Sequence, residues 1–95
     1  MRVLISIPAY NEEESLKWVI EEIRGVMDKT NYDYDILVVD DGSSDKTVEI
    51  AKEVNAKVHS HHQNLGLADT FRTEMRLFLE TDYEIIVHTD ADGQY

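Results

Sequence analysis

Hydrophobic residues fall into four short runs that predict β-strands. The runs cover residues 3–7, 36–39, 57–59 and 84–89. They are rich in β-branched residues and nearly continuous rather than alternating, which is typical of parallel strands that are covered on both faces. We therefore predict a sheet with helices on both sides.

Between these runs, hydrophobic residues recur at spacings of three and four, which predicts α-helices. Asn11 is the expected N-cap of the first helix, with Glu14 as its capping-box partner. Ser43 or Ser44 is expected to open the second helix. The apolar positions of the three helices are Leu16, Val19, Ile20, Ile23 and Met27, then Val48, Ala51 and Val54, then Leu67, Phe71, Met75 and Phe78.

The resulting order, βαβαβαβ, predicts an α/β fold with an open parallel sheet and right-handed crossovers. We expect the strand order 3-2-1-4, which is Rossmann-like and reverses direction between strands one and four. In such sheets, ligands bind beyond the carboxyl ends of the strands at this switch point. Candidate functional residues should therefore follow the strands.

Polar motifs do follow the predicted strands. Residues 8–14 read PAYNEEE, residues 40–45 read DDGSSD, residues 61–66 read HHQNLG and residues 90–92 read DAD. Two carboxylates at i and i+2, as in Asp90 and Asp92, suit a hard cation such as Mg²⁺ or Mn²⁺. The chain has neither the glycine fingerprint of dinucleotide-binding folds nor a P-loop. The acidic loops therefore indicate a nucleotide site assisted by a metal.

Composition and charge narrow the class of protein. With 95 residues the chain is one domain at most, and its net charge of −11 disfavours nucleic acid or an anionic membrane as a partner. The absence of Cys excludes disulfides, thiol nucleophiles and Cys-ligated zinc. No apolar run approaches the ~20 residues of a membrane span. We expect a soluble, cytoplasmic protein.

Three motifs resemble the family 2 glycosyltransferases of GT-A fold. They are SIPAYNE at residues 6–12, VVDDGSSD at 38–45 and the DXD-type stretch DADGQ at 90–94. The last is most similar to the branch that transfers a sugar from a nucleotide to polyprenyl or dolichyl phosphate. Asn64, Gly66 and Ala68 also fit the family's third loop, whereas Asp69, Thr70 and Phe71 make the start of the next helix bulkier and more acidic than usual.

The resemblance implies that residues 1–95 are the donor-binding half of an inverting glycosyltransferase. The donor would be a nucleotide diphosphate sugar of the GDP-mannose or UDP-glucose type, used with Mg²⁺ or Mn²⁺. The acceptor would be a polyprenyl phosphate or another glycan or lipid, at the cytoplasmic membrane face in the complete protein. We expect the 95 residues to be a piece of a longer enzyme. The acceptor site and catalytic base then lie elsewhere, and this chain is inactive in transfer by itself.

The resemblance also implies roles for individual residues. Tyr10 is expected beside the base, the Asp40–Asp41 pair at base and ribose, and Asp90 and Asp92 at the metal. The full set of expected nucleotide contacts is Pro8, Tyr10, Glu12, Val39, Asp40, Asp41, Asp90, Ala91 and Gln94.

Two alternatives stay open at the level of sequence. One is a Mg²⁺-dependent α/β module of the Toprim type, which also places D-x-D after a strand and in which Glu12 would act as the catalytic Glu. The other is a non-catalytic nucleotide-binding or assembly module. Selectivity for sugar nucleotides separates a transferase from the first, and turnover separates it from the second.

Several other side chains receive structural interpretations. His59, His61 and His62 are expected to form a polar loop at the end of strand three rather than a metal cluster. His88 is expected to be packed and hydrogen-bonded. The aromatic and apolar side chains expected to be at least partly buried are Trp18, Phe71 and Met75, the last two in the core.

The last strand is expected to be an apolar edge of the sheet. Exposed edges of this kind recruit other strands, because their backbone N–H and C=O groups lack partners. We therefore expect self-association through residues 84–90.

Overall fold

The computed structural model describes residues 1–91, which form a parallel sheet of four strands with three helices. The strand order is β3-β2-β1-β4, and every pairing is parallel. The predicted α/β class and the order 3-2-1-4 are confirmed. The elements are β1 Arg2–Ala9, α1 Leu16–Met27, β2 Asp33–Asp40, α2 Thr47–Glu53, β3 Lys57–Ser60, α3 Leu67–Leu79 and β4 Ile85–His88.

The register brings the carboxyl ends of three strands to one edge. Ala9 of β1 pairs with Asp40 of β2, and Ser6 of β1 pairs with His88 of β4. Thr89 continues the last pairing, because its backbone N–H donates to the carbonyl of Ser6 at 3.0 Å. The loops that follow β1, β2 and β4 therefore start close together.

Both faces of the sheet are covered, as the continuous apolar runs predict. On one face, β1 and β2 pack against α1 and α2 around residues such as Ile7, Leu16 and Ala51, all fully buried. On the other face, Leu4 and Val39 form a smaller cluster with the inner side of α3. Alternate residues of β1 thus pack into the two core clusters on opposite faces of the sheet.

The predicted capping box of the first helix is wrong. α1 begins at Leu16 with Ser15 in the N-cap position, and the Ser15 side chain does not cap it. Asn11 instead takes a left-handed backbone conformation with φ of 52°. Its side-chain oxygen accepts a hydrogen bond from the Ser44 N–H at 2.9 Å. A bond to the neighbouring loop replaces the local cap.

The start of the second helix is also later than predicted. α2 begins at Thr47, so neither Ser43 nor Ser44 opens it. The Asp45 side chain accepts a hydrogen bond from the Thr47 N–H at 2.9 Å and so satisfies one amide of the first turn. Ser43 is engaged by the preceding loop, where its hydroxyl accepts from the Asn11 N–H at 2.8 Å.

The prediction that Phe71 is a core residue is wrong, because its side chain is 51% exposed. The buried stripe of α3 runs through Thr70 and Glu74, both nearly inaccessible, and Phe71 lies one position outside it. Met75, also predicted as a core residue, is only partly buried. Trp18 of α1, expected to be partly buried, is 53% exposed. Helical spacing identified this helix correctly but misjudged its inward face.

β4 lies at the edge of the described sheet and pairs with β1 alone. Ile85 and Val87 are 41% and 46% exposed, which confirms the predicted apolar edge. Among the helices of residues 1–91, none combines the length and apolarity needed to span a bilayer.

Candidate functional site

A cavity of about 290 Å³ opens where the carboxyl ends of the strands meet. Six of the predicted site residues line it, whereas Val39 and Asp40 do not. Asp92 and Gln94 lie outside the described residues. The lining consists of Pro8, Ala9, Tyr10, Glu12, Asp41, Asn64, Gly66, Leu67, Thr70, Asp90 and Ala91.

The loop after β1 carries Tyr10 and Glu12 and is fixed by the loop after β2. The Glu12 N–H donates to the Thr47 hydroxyl at 2.8 Å, beside the Asn11–Ser43 bond described above. Tyr10 remains 47% exposed, so its ring is accessible from the cavity mouth. A fixed loop with an accessible aromatic ring can stack on a planar ligand such as a nucleobase.

Asp41 is buried at 5% exposure, and its carboxylate is fully engaged within the chain. One oxygen accepts from His61 Nδ1 at 2.8 Å and from the Leu65 N–H at 2.9 Å. The other accepts from the Gly66 N–H at 2.9 Å. Burial by itself raises the pKa of Asp41, but these three hydrogen bonds outweigh it, and the pKa falls below its usual value. Asp41 is therefore an ionised anchor for the loop after β3.

Asp40 and Val39 lie deeper than the cavity lining. Val39 is fully buried in the smaller core cluster. Asp40 is 2% exposed, and one of its oxygens accepts from the Ser43 N–H at 3.2 Å. Its other oxygen has no hydrogen-bond partner within residues 1–91. Direct contacts of these two residues with a nucleotide stay predictions.

Asp90 and Ala91 form the cavity wall on the β4 side. Ala91 is buried, and its carbonyl accepts from the Ser15 hydroxyl at 2.8 Å, which ties this turn to the start of α1. Asp90 is exposed and lines the cavity. Its carboxylate is the oxygen donor type that Mg²⁺ and Mn²⁺ prefer.

No group of three or more His, Asp or Glu side chains within residues 1–91 is arranged to hold a metal ion. Asp90 fits a metal as one ligand, and further oxygens must come from elsewhere. Asp92, the other predicted ligand, is outside the described residues.

The sequence did not reveal the role of His61, whose side chain is only 7% exposed. It lies between Asp41 and α3, where its Nε2 is 2.8 Å from the Thr73 hydroxyl oxygen. The predicted strand order could have revealed this contact. β3 neighbours β2 in the predicted order, so a polar residue just beyond β3 faces the Asp40–Asp41 pair. His61 lies in the polar loop after β3, as expected, but its side chain is buried there because of that pairing.

His88 is hydrogen-bonded as predicted, with Nδ1 3.0 Å from Glu74 Oε2, but its side chain is 39% exposed rather than packed. Leu67 and Thr70, at the start of α3, also line the cavity and were not predicted as site residues. Apolar or hydroxyl residues of this kind carry no signal of their own in a sequence.

Comparison with known families assigns the chain. The model of glycosyl transferase family 2 matches residues 4–95. The chain belongs to this family. The resemblance carried by the three motifs is thereby confirmed, and the Toprim-type alternative loses its support.

Three known proteins show the range of its relatives. An undecaprenyl-phosphate mannosyltransferase from Micrococcus luteus is 38% identical over 100 residues, which cover 100% of this chain and 40% of that protein. The chain thus spans less than half the length of this relative. Mannosyl-3-phosphoglycerate synthase from Rubrobacter xylanophilus superposes with a TM-score of 0.80 at 25% identity, covering 97% of this chain and 31% of the other.

A mannosyltransferase from Pyrobaculum calidifontis, solved in complex with GDP-Man and Mn²⁺, superposes with a TM-score of 0.76 at 26% identity. The match covers 96% of this chain and 27% of that one. The glycosyltransferase sheet is therefore shared along nearly the whole of this chain.

Proposed function

We propose that this chain is the donor-binding part of a glycosyltransferase and that the cavity at the switch point binds a nucleotide diphosphate sugar. The observation that carries the proposal is that Tyr10 and Asp90 line the same cavity. An aromatic ring suited to a base and a carboxylate suited to a metal thus line the same opening. Glu12, on the Tyr10 side, adds an acceptor for base or ribose hydroxyls.

A divalent cation resolves an electrostatic conflict at this site. The chain has a net charge of −11, and a diphosphate would be repelled by carboxylates on the cavity wall. Asp90, with Asp92, would hold Mg²⁺ or Mn²⁺, which would neutralise the diphosphate and stabilise it as a leaving group. The mannosyltransferase from Pyrobaculum calidifontis, solved with GDP-Man and Mn²⁺, supports this choice of ligand and metal.

We further propose that the complete protein transfers the sugar, with inversion, to a polyprenyl phosphate. The support is the similarity to the undecaprenyl-phosphate mannosyltransferase of Micrococcus luteus. No residue of this chain is assigned as the catalytic base or the acceptor site. A cytoplasmic location, at the membrane face in the complete protein, is part of the same proposal.

Calorimetric titration tests the donor site directly. GDP, UDP, GDP-mannose and UDP-glucose would each be titrated into the 95-residue chain, with and without Mn²⁺. We expect binding of one base over the other, and we expect it to tighten at least tenfold with Mn²⁺. Asp90→Asn should remove most of the Mn²⁺ dependence, because it removes a charged metal ligand.

The matched control is Asp33→Asn, which changes a carboxylate at the amino end of β2, opposite the cavity edge. It should leave the affinity and its Mn²⁺ dependence as in the wild type. A folded chain that binds none of the four nucleotides, with or without metal, would contradict the proposal for this chain.

A further inference from the structure

His61 is a buried side chain with a hydrogen bond at each ring nitrogen. Nδ1 lies 2.8 Å from Asp41 Oδ1, and Nε2 lies 2.8 Å from the Thr73 hydroxyl oxygen. Asp41 is an ionised acceptor, so Nδ1 carries the hydrogen and donates it. The imidazole thus has one orientation, set by the turn after β2 on one side and by α3 on the other.

The carboxylate that His61 holds also holds a stretch of backbone. Asp41 accepts from the N–H groups of Leu65 and Gly66, at 2.9 Å each. The segment 61–66 is therefore fastened to Asp41 at its first residue, through a side chain, and at its last two, through the backbone. We call this segment the β3–α3 loop.

The β3–α3 loop also packs tightly against the turn after β2. A Cβ added to Gly42 would come within 2.6 Å of the Asn64 nitrogen and closer still to the Gln63 carbonyl carbon. Asn64 and Gly66 of this loop line the cavity. The position of that cavity wall therefore depends on the position of Asp41.

We propose that His61 is a positioning residue for the nucleotide cavity: it orients the Asp41 carboxylate, which in turn fixes the β3–α3 loop. Its consequence for binding rests on the proposed function. Without the bond from His61, Asp41 can rotate and release the two amides, and the wall formed by Asn64 and Gly66 moves. His61 itself does not contact the nucleotide.

Two substitutions separate the hydrogen bond at Nδ1 of His61 from the one at Nε2. In His61→Asn, the side-chain amide occupies the place of Nδ1 and can still donate to Asp41. In His61→Gln, the longer amide occupies the place of Nε2 and reaches Thr73 instead. Both substitutions remove the imidazole ring, so both lose its packing. A difference in behaviour between the two variants therefore reports the hydrogen bond to Asp41.

Amide hydrogen exchange of the free chain provides a readout that needs no ligand. We expect the Leu65 and Gly66 amides to exchange at wild-type rates, within about threefold, in His61→Asn. In His61→Gln they should exchange at least tenfold faster. His62→Asn, at the exposed neighbouring position, is the control and should match the wild type. Equal exchange in His61→Asn and His61→Gln, whether slow or fast, overturns the proposal.

Nucleotide affinity in the presence of Mn²⁺ is the second readout. His61→Asn should bind within about threefold of the wild type, and His61→Gln should bind about tenfold more weakly, a difference of about 1.4 kcal/mol. If the amides respond as expected but the two affinities agree, the role of His61 in nucleotide positioning is wrong. If the wild type binds no nucleotide, the donor-site proposal fails, while the exchange experiment still decides whether His61 holds the loop.

Discussion

Glu74 shows how a single residue can join three elements. It lies on α3 at 1% exposure, and its Oε2 accepts hydrogen bonds from the Ser6 hydroxyl of β1 and from His88 Nδ1 of β4. Its Oε1 has no partner within residues 1–91. Burying a carboxylate is costly unless hydrogen bonds compensate, so the two donors make this residue tolerable.

Glu74→Ala should lower the free energy of unfolding by about 3 kcal/mol, because it leaves the buried Ser6 hydroxyl without its acceptor and creates a cavity. Glu74→Gln should cost about 1 kcal/mol, since its amide oxygen can still accept. Urea denaturation measures both. Glu53→Ala, at the exposed end of α2, is the control and should change stability by less than about 0.5 kcal/mol. A Glu74→Ala protein as stable as this control would contradict the account.

At the scale of elements, the cavity depends mainly on the loops that connect the helices and strands. The loop after β1 binds the loop after β2, which binds the β3–α3 loop through Asp41 and through the close approach at Gly42. Gly42 also has a positive φ of 77°, a conformation that disfavours any side chain. The three loops therefore behave as one unit around the cavity.

Two glycine substitutions test this interpretation. Gly42→Ala should destabilise the fold by about 2 kcal/mol or displace the β3–α3 loop, because the new methyl group meets backbone atoms. Gly25→Ala should instead stabilise the fold by about 0.5–1 kcal/mol, since Gly25 lies within α1 and a Cβ there would meet no atom of residues 1–91 within 4 Å. Thermal unfolding of the two proteins measures the contrast. Equal unfolding midpoints for the two variants would show that the turn after β2 can accommodate a side chain at position 42.

The sequence predicted elements well and loops poorly, for a physical reason. The apolar runs of β2 and β4 are each followed closely by an acid, so Asp40 and Asp90 could be placed at the sheet edge without a structure. The signature Asn11–Glu14 matches a capping box, yet α1 begins only at Leu16 and Asn11 bonds to Ser44 in the neighbouring loop. Partners distant in sequence, such as Asp41 and His61, become visible only once the strand order is used as a constraint.

At the scale of the whole molecule, the edge strand β4 is the least protected feature of the described sheet. Ile85 and Val87 expose apolar surface on it, and β4 is paired on one side alone. Val26 of α1, 63% exposed, lies near the same face and lines a shallow groove with Val87. An apolar strand with free backbone groups and an apolar flank favours association with another chain.

We expect the 95-residue chain to form dimers or larger assemblies in solution through β4. Light scattering coupled to size-exclusion chromatography measures the mass directly. Val87→Lys should shift the distribution to monomer, because a charged residue on an edge strand opposes pairing. Tyr32→Lys, at an exposed position in the connection after α1, is the control and should leave the mass unchanged. A wild-type mass of one chain at high concentration would refute the expectation.

The position of β4 in the sheet also has a consequence for how the protein folds during synthesis. β1 is synthesised first, but one of its two neighbours is β4, and the Arg2 amide bonds to Glu84 across 82 residues of chain. β1, α1 and β2 can pair while later residues are still on the ribosome, whereas the pairing with β4 must wait. The wall bearing Tyr10 and Glu12 thus forms early and Asp90 arrives last. The order of translation therefore builds the side of the cavity proposed for the nucleobase before the side proposed for the metal.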